Sequence, residues 1–586
     1  MTELLTAAEM RAIEQAAMAS GRVSGLTLME RAGQAIVEAI FDEWPDYRAA
    51  PQTISVLCGP GNNGGDGYVV ARLLHDLGWQ VAVYGMDHGD RTGADAVANR
   101  TAWETRGPVS PLTYDVFRRA PDTELYLDAI FGIGLSRPAT GDLDTLMRYL
   151  GGSGGDFGYF QPRIVAVDVP SGLCADSGRV LGCPDPSPST APVPFAQLTV
   201  TFEAPKIGHV IADGPQVCGK LAVKSIGLGA ERSQHVQKGD APRSLRPIMT
   251  SLHPPLPDGP RESHALFRPR LLPKGQGHKY DHGHVLILTG GVGRTGAARL
   301  AARAALRVGA GAVTLASPPS ALTEIAAHST SVMCRSVRDG AALAAMLEDK
   351  RINIVCLGPG LGLHDRAADL LEATLTSAPA PGQGTYLSHG RKLVLDADAL
   401  TLLATRPDPF AGLGPHVVLT PHMGEFARLF PDLAARLTGP TPPRVTSARP
   451  GEAHFADMKA YRDALSRQRG PAYSKLNAAR DAAARSGAVV LLKGPDTVVA
   501  EPSGRAWVHS ATGGRAVPWL ATAGAGDVLA GIIAGLAARN HMPAQAAILA
   551  AALHADAARA FGPGLIAEDL PDLLPQILAA EEAKQK

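Results

Sequence analysis

The sequence predicts an α/β protein with two domains, each built around a mostly parallel β-sheet. The chain has 586 residues, which is more than one hydrophobic core usually serves. Short apolar strand patterns alternate with helical patterns in two runs, and a stretch rich in turn residues separates the runs. We therefore predict an N-terminal domain at 1–228, a linker at 229–265 and a C-terminal domain at 266–586.

The composition restricts the classes of partner that the protein can have. Lys plus Arg and Asp plus Glu number 56 each, so no basic excess indicates binding to nucleic acid or to an anionic membrane. The most apolar run, 528–538, is about half of a membrane span. The six cysteines form no CxxC pair and no signal-peptide pattern is present, which is typical of free thiols in a reducing compartment. We expect a cytoplasmic protein that acts on small molecules.

In the first domain the strand patterns are almost continuous in Val, Ile and Leu, as in parallel strands that are covered on both faces. The predicted strands are Thr53–Cys58, Gln80–Tyr84, Leu125–Ile130, Arg163–Asp168 and Leu198–Phe202. A helix is predicted over Asp66–Leu77, with Gly78 placed to end it. The resulting strand–helix–strand rhythm predicts a doubly wound sheet.

A second run of the same kind begins after the linker. Its predicted strands are His284–Thr289, Ala312–Ala316, Ile352–Leu357, Lys392–Asp396, His416–Thr420 and Ala488–Leu492. Gly296–Val308 has the pattern of a helix with one apolar face. Pro431–Pro471 is weakly patterned and rich in Pro and Arg, so we expect an insertion there that carries some helix.

The loop Gly524-Ala525-Gly526-Asp527 directly precedes a strongly apolar helix pattern. Small residues let the backbone approach a phosphate, and the free N–H groups at a helix start bind anions. An Asp beside a phosphate is unfavourable unless it exchanges a proton with a substrate oxygen. The alternative is that Asp527 only caps the buried helix, and the loop alone does not decide between the two.

Three further loops follow predicted strands in the same way. They are Gly358–Gly362, Thr420–Phe426 and Lys493–Thr497. Because ligand loops in α/β sheets lie at the carboxyl ends of the strands, we expect these loops and Gly524–Asp527 to converge on one edge. This convergence favours a catalytic interpretation of Asp527.

Together with Leu395–Leu400, these loops resemble the ADP/ATP-dependent NAD(P)H-hydrate dehydratases of the ribokinase-like superfamily, over most of residues 266–586. The resemblance implies that Asp527 is the general base. It would activate the hydroxyl of the hydrated nicotinamide for phosphorylation by ADP or ATP with Mg²⁺, after which phosphate leaves. Thr512–Leu520 departs from the usual pattern, which leaves the contacts of the nucleotide base and the choice between ADP and ATP open.

The resemblance also implies individual contact residues in this domain. The substrate would contact Ala297, Gly360, His422, Met423, Gly424, Glu425, Phe426, Ala427, Arg428 and Asp527. The nucleotide would contact Lys493, Gly494, Pro495, Asp496, Thr497 and Gly526.

In the first domain, the loop Gly59–Gly67 contains two Asn residues and an Asp between its glycines. Side-chain oxygens of this kind suit a hard cation or the hydroxyls of a ligand, whereas the alternative is an Asn-rich turn that uses positive φ. Asp128 and Asp168 each end a predicted strand. With Asn63 they could share one crevice and supply cation ligands and a base.

Together with Phe202–Gly208, these motifs resemble the NAD(P)H-hydrate epimerases over roughly residues 1–228. The resemblance implies substrate contacts at Asn62, Asn63, Gly64, Gly65, Asp66, Gly132, Ile133, Gly134, Leu135, Ser136, Arg137, Pro138 and Asp168. It implies a potassium ion at Asn63, Asp128 and Ser171, and catalytic roles for Asp168 and Lys206. The expected fold is thus α/β with two domains, an N-terminal Rossmann-like doubly wound sheet and a C-terminal ribokinase-like αβα domain.

The two resemblances make chemical sense on one chain. Hydrated NADH and NADPH occur as R and S epimers, and a stereospecific dehydratase repairs only the S epimer. We therefore predict an isomerase and lyase that epimerises the hydrates and dehydrates the S form, acting as a homo-oligomer. Two alternatives stay open, namely a small-molecule kinase of the ribokinase type, and an N-terminal domain that binds nucleotide without catalysis.

Overall fold

The computed structural model describes residues 2–86, 93–151, 163–183, 191–232, 248–249, 274–377, 390–438 and 473–583. These residues form two separate β-sheets, one for each run of alternating strands and helices. The prediction of a two-domain α/β protein is therefore confirmed.

The first sheet belongs to the N-terminal domain and is entirely parallel among the described residues. Its strands are β2 (Thr53–Cys58), β3 (Gln80–Gly85), β4 (Val109–Pro111), β5 (Leu125–Ala129), β6 (Arg163–Val167), β7 (Leu198–Phe202) and β8 (Lys220–Lys224). Their order is β4-β3-β2-β5-β6-β7-β8, so the strand order reverses next to β2. In doubly wound sheets this reversal opens the crevice that binds ligands.

The second sheet has a parallel centre and a mixed edge. Its strands are β1 (Thr2–Glu3), β9 (Ile248–Met249), β10 (His284–Leu288), β11 (Ala312–Ser317), β12 (Met333–Ser336), β13 (Ile352–Leu357), β14 (Lys392–Leu395), β15 (Val417–Leu419), β16 (Val489–Leu492), β17 (Asp496–Ala500) and β18 (Ala506–Ser510). The order is β1-β9-β18-β17-β16-β15-β14-β13-β10-β11-β12. The antiparallel hairpin of β17 and β18 was not predicted, because its short strands lie directly after a loop motif.

The helices flank the sheets. Those of the N-terminal half are Ala7–Ala19, Gly25–Glu43, Asn62–Asp76, Ala94–Glu104, Tyr114–Arg118, Asp142–Leu150 and Gly214–Val217. Those of the C-terminal half are Gly296–Arg307, Leu322–His328, Gly340–Met346, Asp365–Thr376, Asp398–Thr405, Met423–Leu429, Pro431–Thr438, Lys475–Ser486, Ala525–Ala538, Pro543–Phe561 and Asp569–Ala583. None of the helices that the structure describes has the length and apolar character needed to cross a membrane.

One helix boundary differs from the prediction. The helix expected from Asp66 begins four residues earlier, at Asn62, so the Asn-rich segment forms its first turn. A Cβ on Gly64 would lie 2.0 Å from the carbonyl oxygen of Gly59, so only glycine fits this tight turn between strand and helix. Neither Asn62 nor Asn63 has a positive φ, and the alternative of a positive-φ Asn turn is therefore wrong.

The expected linker is partly ordered into the second sheet. Ile248–Met249 pairs in parallel with β18 and antiparallel with Thr2–Glu3, because the open edge of β18 offers unpaired backbone groups. The extreme N-terminus thus lies against the C-terminal sheet rather than within its own domain. Linker residues 233–247 and 250–265 lie outside the described residues, as do 439–471 of the expected insertion.

The helix that follows Gly524 is held by close packing. A Cβ on Gly531 would lie 2.2 Å from the carbonyl oxygen of Ala301 on the helix Gly296–Arg307, so glycine is required at this contact. All residues from Val528 to Ala538 are buried, which confirms the expected buried helix. The six cysteines are free thiols, as predicted.

Candidate active sites

Asp527 is placed by the start of the helix Ala525–Ala538. The N-cap residue is Gly524, in the left-handed conformation at φ 90°, and no side chain caps the helix. Asp527 is therefore not the N-cap, so the alternative that it only caps the helix is wrong. Burial, followed by the negative charge of Asp396, raises the pKa of Asp527 from 3.8 to about 7. A carboxylate with this pKa can accept a proton near neutral pH.

Lys493 supplies a positive charge to the same site. Its Nζ lies 2.7 Å from Oδ1 of Asp396 and 3.7 Å from Oε2 of Glu425. Burial alone would lower the pKa of Lys493, but the two carboxylates outweigh it and raise the pKa. A Cβ on Gly526 would lie 3.6 Å from the same Nζ, so the ammonium group is adjacent to the Gly-rich loop. Lys493 is thus a cation beside the expected path of the phosphates.

Asp396 is a site residue that the prediction did not include. It is buried, and it accepts hydrogen bonds from Lys493 Nζ and from Thr420 Oγ1, the latter at 2.7 Å. A Cβ on Gly358 would lie 1.7 Å from the carbonyl oxygen of Asp396, so the Gly358 loop packs on it directly. Its position immediately after a buried strand is the signal that would have identified it.

The predicted substrate segment 422–428 includes a helix start with its own internal contacts. The backbone N–H of His422 donates to Oε2 of Glu425 at 2.8 Å, and His422 Nδ1 accepts from the N–H of Gly424 at 2.9 Å. This reciprocal capping fixes the turn in front of the sheet edge. Phe426 was predicted to contact the substrate, but its side chain is fully buried in the core.

Gly360 and Ala297, both predicted to contact the substrate, lie close together. A Cβ on Gly360, which has φ 64°, would lie 2.6 Å from the carbonyl oxygen of Arg294 and 3.4 Å from Cβ of Ala297. The Gly358–Gly362 loop therefore packs on the start of the helix Gly296–Arg307.

The predicted nucleotide-binding segment, 493–497, consists of a loop and the start of a strand. Lys493 to Pro495 form the loop, whereas Asp496 and Thr497 begin strand β17. The Asp496 carboxylate binds Lys475 Nζ at 2.7 Å and the N–H of Ala212 at 2.9 Å, so it faces protein groups. The departing segment Thr512–Leu520 forms two short 3₁₀ turns, and Arg559 donates to the carbonyl oxygen of Arg515 at 2.9 Å.

In the N-terminal domain, Asp168 and Lys206 form a buried pair. Lys206 Nζ lies 2.9 Å from Asp168 Oδ1, and its side chain has no exposed surface. Thr201 Oγ1 also donates to Asp168, at 2.6 Å. Burial would raise the pKa of Asp168, but Lys206 and Thr201 outweigh it and lower the pKa. Asp168 has φ 63°, a left-handed conformation that is rare for a non-glycine residue and is typical of functional sites.

Two other carboxyl groups lie in the electrostatic field of Asp168. Burial and then the charge of Asp168 raise the pKa of Glu14 to about 7, and the same causes raise the pKa of Asp66 well above its ordinary value. The site therefore combines an ionised Asp168 with carboxyl groups that hold protons near neutral pH, which is the separation that acid–base catalysis requires. Glu14 was not predicted, because it lies on the first helix, far in sequence from the motifs.

His209 is a further contact of Asp168 that was not predicted. Its Nε2 lies 2.8 Å from the Asp168 carbonyl oxygen, while its Nδ1 accepts from the N–H of Lys206 at 2.9 Å. Burial, followed by the charge of Lys206, lowers the pKa of His209 to about 4. A neutral imidazole thus contacts the backbone of both Asp168 and Lys206.

The predicted potassium ligands Asp128 and Ser171 are in direct contact. Ser171 Oγ donates to Asp128 Oδ1 at 2.6 Å, and the N–H of Ser171 donates to Oδ2 at 2.7 Å. Asn63 is adjacent to the following loop, since a Cβ on Gly132 would lie 2.8 Å from Asn63 Oδ1. Burial raises the pKa of Asp128 to about 6, and in the part of the chain that is described no basic side chain pairs with it. Oxygen donors around a buried, unpaired carboxylate suit a cation.

Comparison with known proteins agrees with this division of the chain. Residues 285–579 match the family described as NAD(P)H-hydrate dehydratase, and residues 25–208 match the family described as YjeF-related protein N-terminus. A bifunctional NAD(P)H-hydrate repair enzyme from Moorella thermoacetica is 34% identical, over 98% of this chain and 96% of its own length.

Two further known proteins are each similar to one part of the chain. An NAD(P)H-hydrate epimerase from Rhodobacter capsulatus is 45% identical over 39% of this chain and 100% of its own length. A solved ADP/ATP-dependent NAD(P)H-hydrate dehydratase from Bacillus subtilis, co-crystallized with ATP/Mg²⁺, is 25% identical, covers 53% of this chain and 93% of its own, and has a TM-score of 0.38.

Proposed function

The chain belongs to the family of bifunctional NAD(P)H-hydrate repair enzymes, and from this membership and the two sites we propose how it divides the work. The N-terminal domain interconverts the R and S hydrates of NADH and NADPH. The C-terminal, ribokinase-like domain dehydrates the S hydrate at the expense of a nucleotide. The observation that carries the proposal is Asp527, a carboxylate with a pKa of about 7 beside Lys493 at a helix start.

In the dehydratase site, Asp527 takes the proton of the substrate hydroxyl. The hydroxyl oxygen then attacks the terminal phosphorus of ADP or ATP, and the bond from that phosphorus to the bridging oxygen breaks. Lys493 and the free N–H groups of the helix start stabilise the charge on the phosphates. The phosphate ester then loses phosphate and a ring proton, and the ring double bond re-forms. Mg²⁺, when bound with the nucleotide, neutralises phosphate charge.

In the epimerase site, inversion breaks the C–O bond of the hydroxylated carbon as a carboxyl group protonates the leaving hydroxyl. Water then re-forms the bond on the other face as a carboxylate takes its proton. Asp168, kept ionised by Lys206, is the group that accepts a proton, and Asp66 or Glu14 is the group that holds one. In this proposal residues 62–66 and 132–138 supply the substrate contacts.

We also assign a potassium ion to Asn63, Asp128 and Ser171, because Ser171 contacts the buried Asp128 carboxylate, which has no basic partner among the described residues, and Asn63 lies beside Gly132 of the following loop. The ion would fix the Asp128 and Gly132 loops beside the substrate. The measurement is the epimerase rate in potassium against choline buffers, and equal rates in both would contradict the assignment.

The function is tested on pure protein with each purified epimer, separately with ADP and ATP. Absorbance of the dihydronicotinamide should return from both epimers, with one phosphate released for each molecule repaired. A stable phosphorylated product would instead establish the small-molecule kinase, and repair of the S epimer alone would establish a non-catalytic N-terminal domain.

The pH dependence of dehydration follows from Asp527. Because a base must be ionised to accept a proton, kcat/KM for the S epimer should fall about tenfold per pH unit below pH 7. The rate should be level above that pH, up to the next ionisation. A profile that stays flat between pH 5 and pH 8 would show that Asp527 does not act as the base.

The oligomeric state and the cellular location of the protein are further parts of the proposal. We propose a cytoplasmic homo-oligomer that binds neither nucleic acid nor membrane, because the chain has no net charge and its cysteines are free thiols. Light scattering of the pure protein measures the assembly, and a monomer at micromolar concentration would contradict it.

A further inference from the structure

One segment of the N-terminal domain, Lys206–Gly214, takes part in both halves of the molecule. Its first residues, Lys206 and His209, hold Asp168 of the epimerase site. Ile207, Val210 and Ile211 are buried in the same apolar cluster as Leu476, Leu492 and Val498 of the dehydratase domain. A rigid segment with contacts on both sides is a physical route by which one domain can influence the other.

Asp496 joins this segment to the nucleotide loop. Its Oδ2 accepts the N–H of Ala212 at 2.9 Å, and its Oδ1 accepts Lys475 Nζ at 2.7 Å. Ala212 has φ 51°, a left-handed conformation that persists only where the surrounding contacts hold it. The carboxylate therefore links the backbone of one domain to a buried lysine of the other.

Lys475 lies directly under the backbone of the nucleotide loop. Its Nζ donates to the carbonyl oxygen of Lys493 at 3.2 Å, and a Cβ on Gly494 would lie 2.4 Å from the same nitrogen. The side chains of Lys475 and Asp496 are only 10% and 12% exposed. Because a buried ion pair is destabilised strongly when one partner moves, the position of Asp496 controls where Lys475 holds the loop.

Two more contacts between the domains surround this link. Arg179 Nη2 donates to the carbonyl oxygen of Leu437 at 3.0 Å, and the charge of Arg179 interacts with the carboxylates of Asp213 and Asp496. A Cβ on Gly513 would lie 2.9 Å from the carbonyl oxygen of Pro215. The N-terminal domain thus contacts both Asp496, which directly follows the nucleotide loop, and the segment that departs from the family pattern.

We propose that the epimerase domain positions the nucleotide-binding loop of the dehydratase domain, with Asp496 and Lys475 as positioning residues for the loop at Lys493. The inference rests on the proposed function, because it takes the loop 493–495 to bind the nucleotide. Contacts with Ala212 and Arg179 hold the carboxylate of Asp496 in place. Asp496 in turn positions Lys475, and Lys475 positions the backbone of the loop at Lys493. The affinity of the dehydratase site for nucleotide therefore depends on contacts made by the other domain.

The test uses the full chain with Arg179→Met, which keeps most of the side-chain volume and removes the charge and the donor. We expect the KM for nucleotide to rise about tenfold, while kcat for the S epimer stays unchanged. A merely structural role would lower the amount of active protein and hence kcat, with KM unchanged. That result, or wild-type values for both constants, would overturn the proposal.

Asp496→Asn and Ala212→Gly form a matched pair. An amide cannot accept hydrogen bonds at both of its terminal atoms, so Asp496→Asn should raise the KM for nucleotide in the same direction. Ala212→Gly keeps the N–H group and suits the left-handed backbone, so its KM should equal that of the wild type.

If the wild type repairs hydrate without using nucleotide, the proposed function fails. If it uses nucleotide and either Arg179→Met or Asp496→Asn keeps its KM, only the inference fails.

Discussion

Replacing Asp527 by asparagine should abolish dehydration of the S epimer while epimerisation continues at the wild-type rate. The side chains have nearly the same shape, but the amide cannot accept the proton of the substrate hydroxyl. Loss of a general base lowers the rate by about 10²- to 10⁴-fold. The measurements are phosphate release from the S epimer and interconversion of the two hydrates in the same preparation.

Stability provides the control for this variant. Because the pKa of Asp527 is about 7 in the fold against an ordinary value of 3.8, stability is lost as the pH rises from 3.8 to 7, and the whole loss is present above pH 7. Asparagine does not ionise, so we expect the Tm of Asp527→Asn at pH 8 to equal or exceed that of the wild type. At pH 5 the fold keeps Asp527 protonated while the unfolded chain is already ionised, so this gain should be smaller, and it should disappear only below the ordinary pKa of 3.8. A variant that dehydrates the S epimer normally would refute the role of Asp527.

Asp168→Asn should have the reverse effect, with epimerisation lost and dehydration of the S epimer retained. The amide leaves the ammonium group of Lys206 without its carboxylate in a site where that lysine is fully buried. The loss of rate should again be about 10²- to 10⁴-fold. With a mixture of epimers and excess nucleotide, repair should stop once the S epimer is consumed.

Thr201→Val serves as the control for Asp168→Asn. Thr201 donates a hydrogen bond to Asp168 but lies behind it in strand β7, so its loss should reduce epimerisation much less than loss of the carboxylate. The fraction of folded protein is measured for both variants by thermal unfolding. Complete repair of the mixed epimers by Asp168→Asn would show that the carboxylate does not take part in epimerisation.

The sequence predicted the sheets and the loops that end their strands well. The strand Thr53–Cys58 has the predicted bounds, and the other predicted strands agree to within one or two residues at each end. The patterns are local, and continuous apolar runs leave few alternatives in a sheet covered on both faces. The prediction failed at Asn62, because helix starts are set by close backbone packing such as that of Gly64 on Gly59.

The site residues that were not predicted share one property. Asp396, Glu14 and His209 each interact with Lys493 or Asp168 across a large separation in sequence, so the motifs alone do not show these interactions. Asp396 meets Lys493 from another strand, and Glu14 meets Asp168 from the first helix. Phe426 is the opposite case, because it belongs to a sequence motif but its side chain is buried in the core.

The sequence by itself determined that two α/β domains are present, and which acids and lysines lie at the ends of their strands. These features depend on short-range patterns of apolar, glycine and polar residues. Only the tertiary structure decided that burial and Asp396 raise the pKa of Asp527, that Lys206 keeps Asp168 ionised, and that Asp496 joins the domains at Ala212. Desolvation and ion pairing depend on groups brought together from remote parts of the chain, which no local pattern encodes.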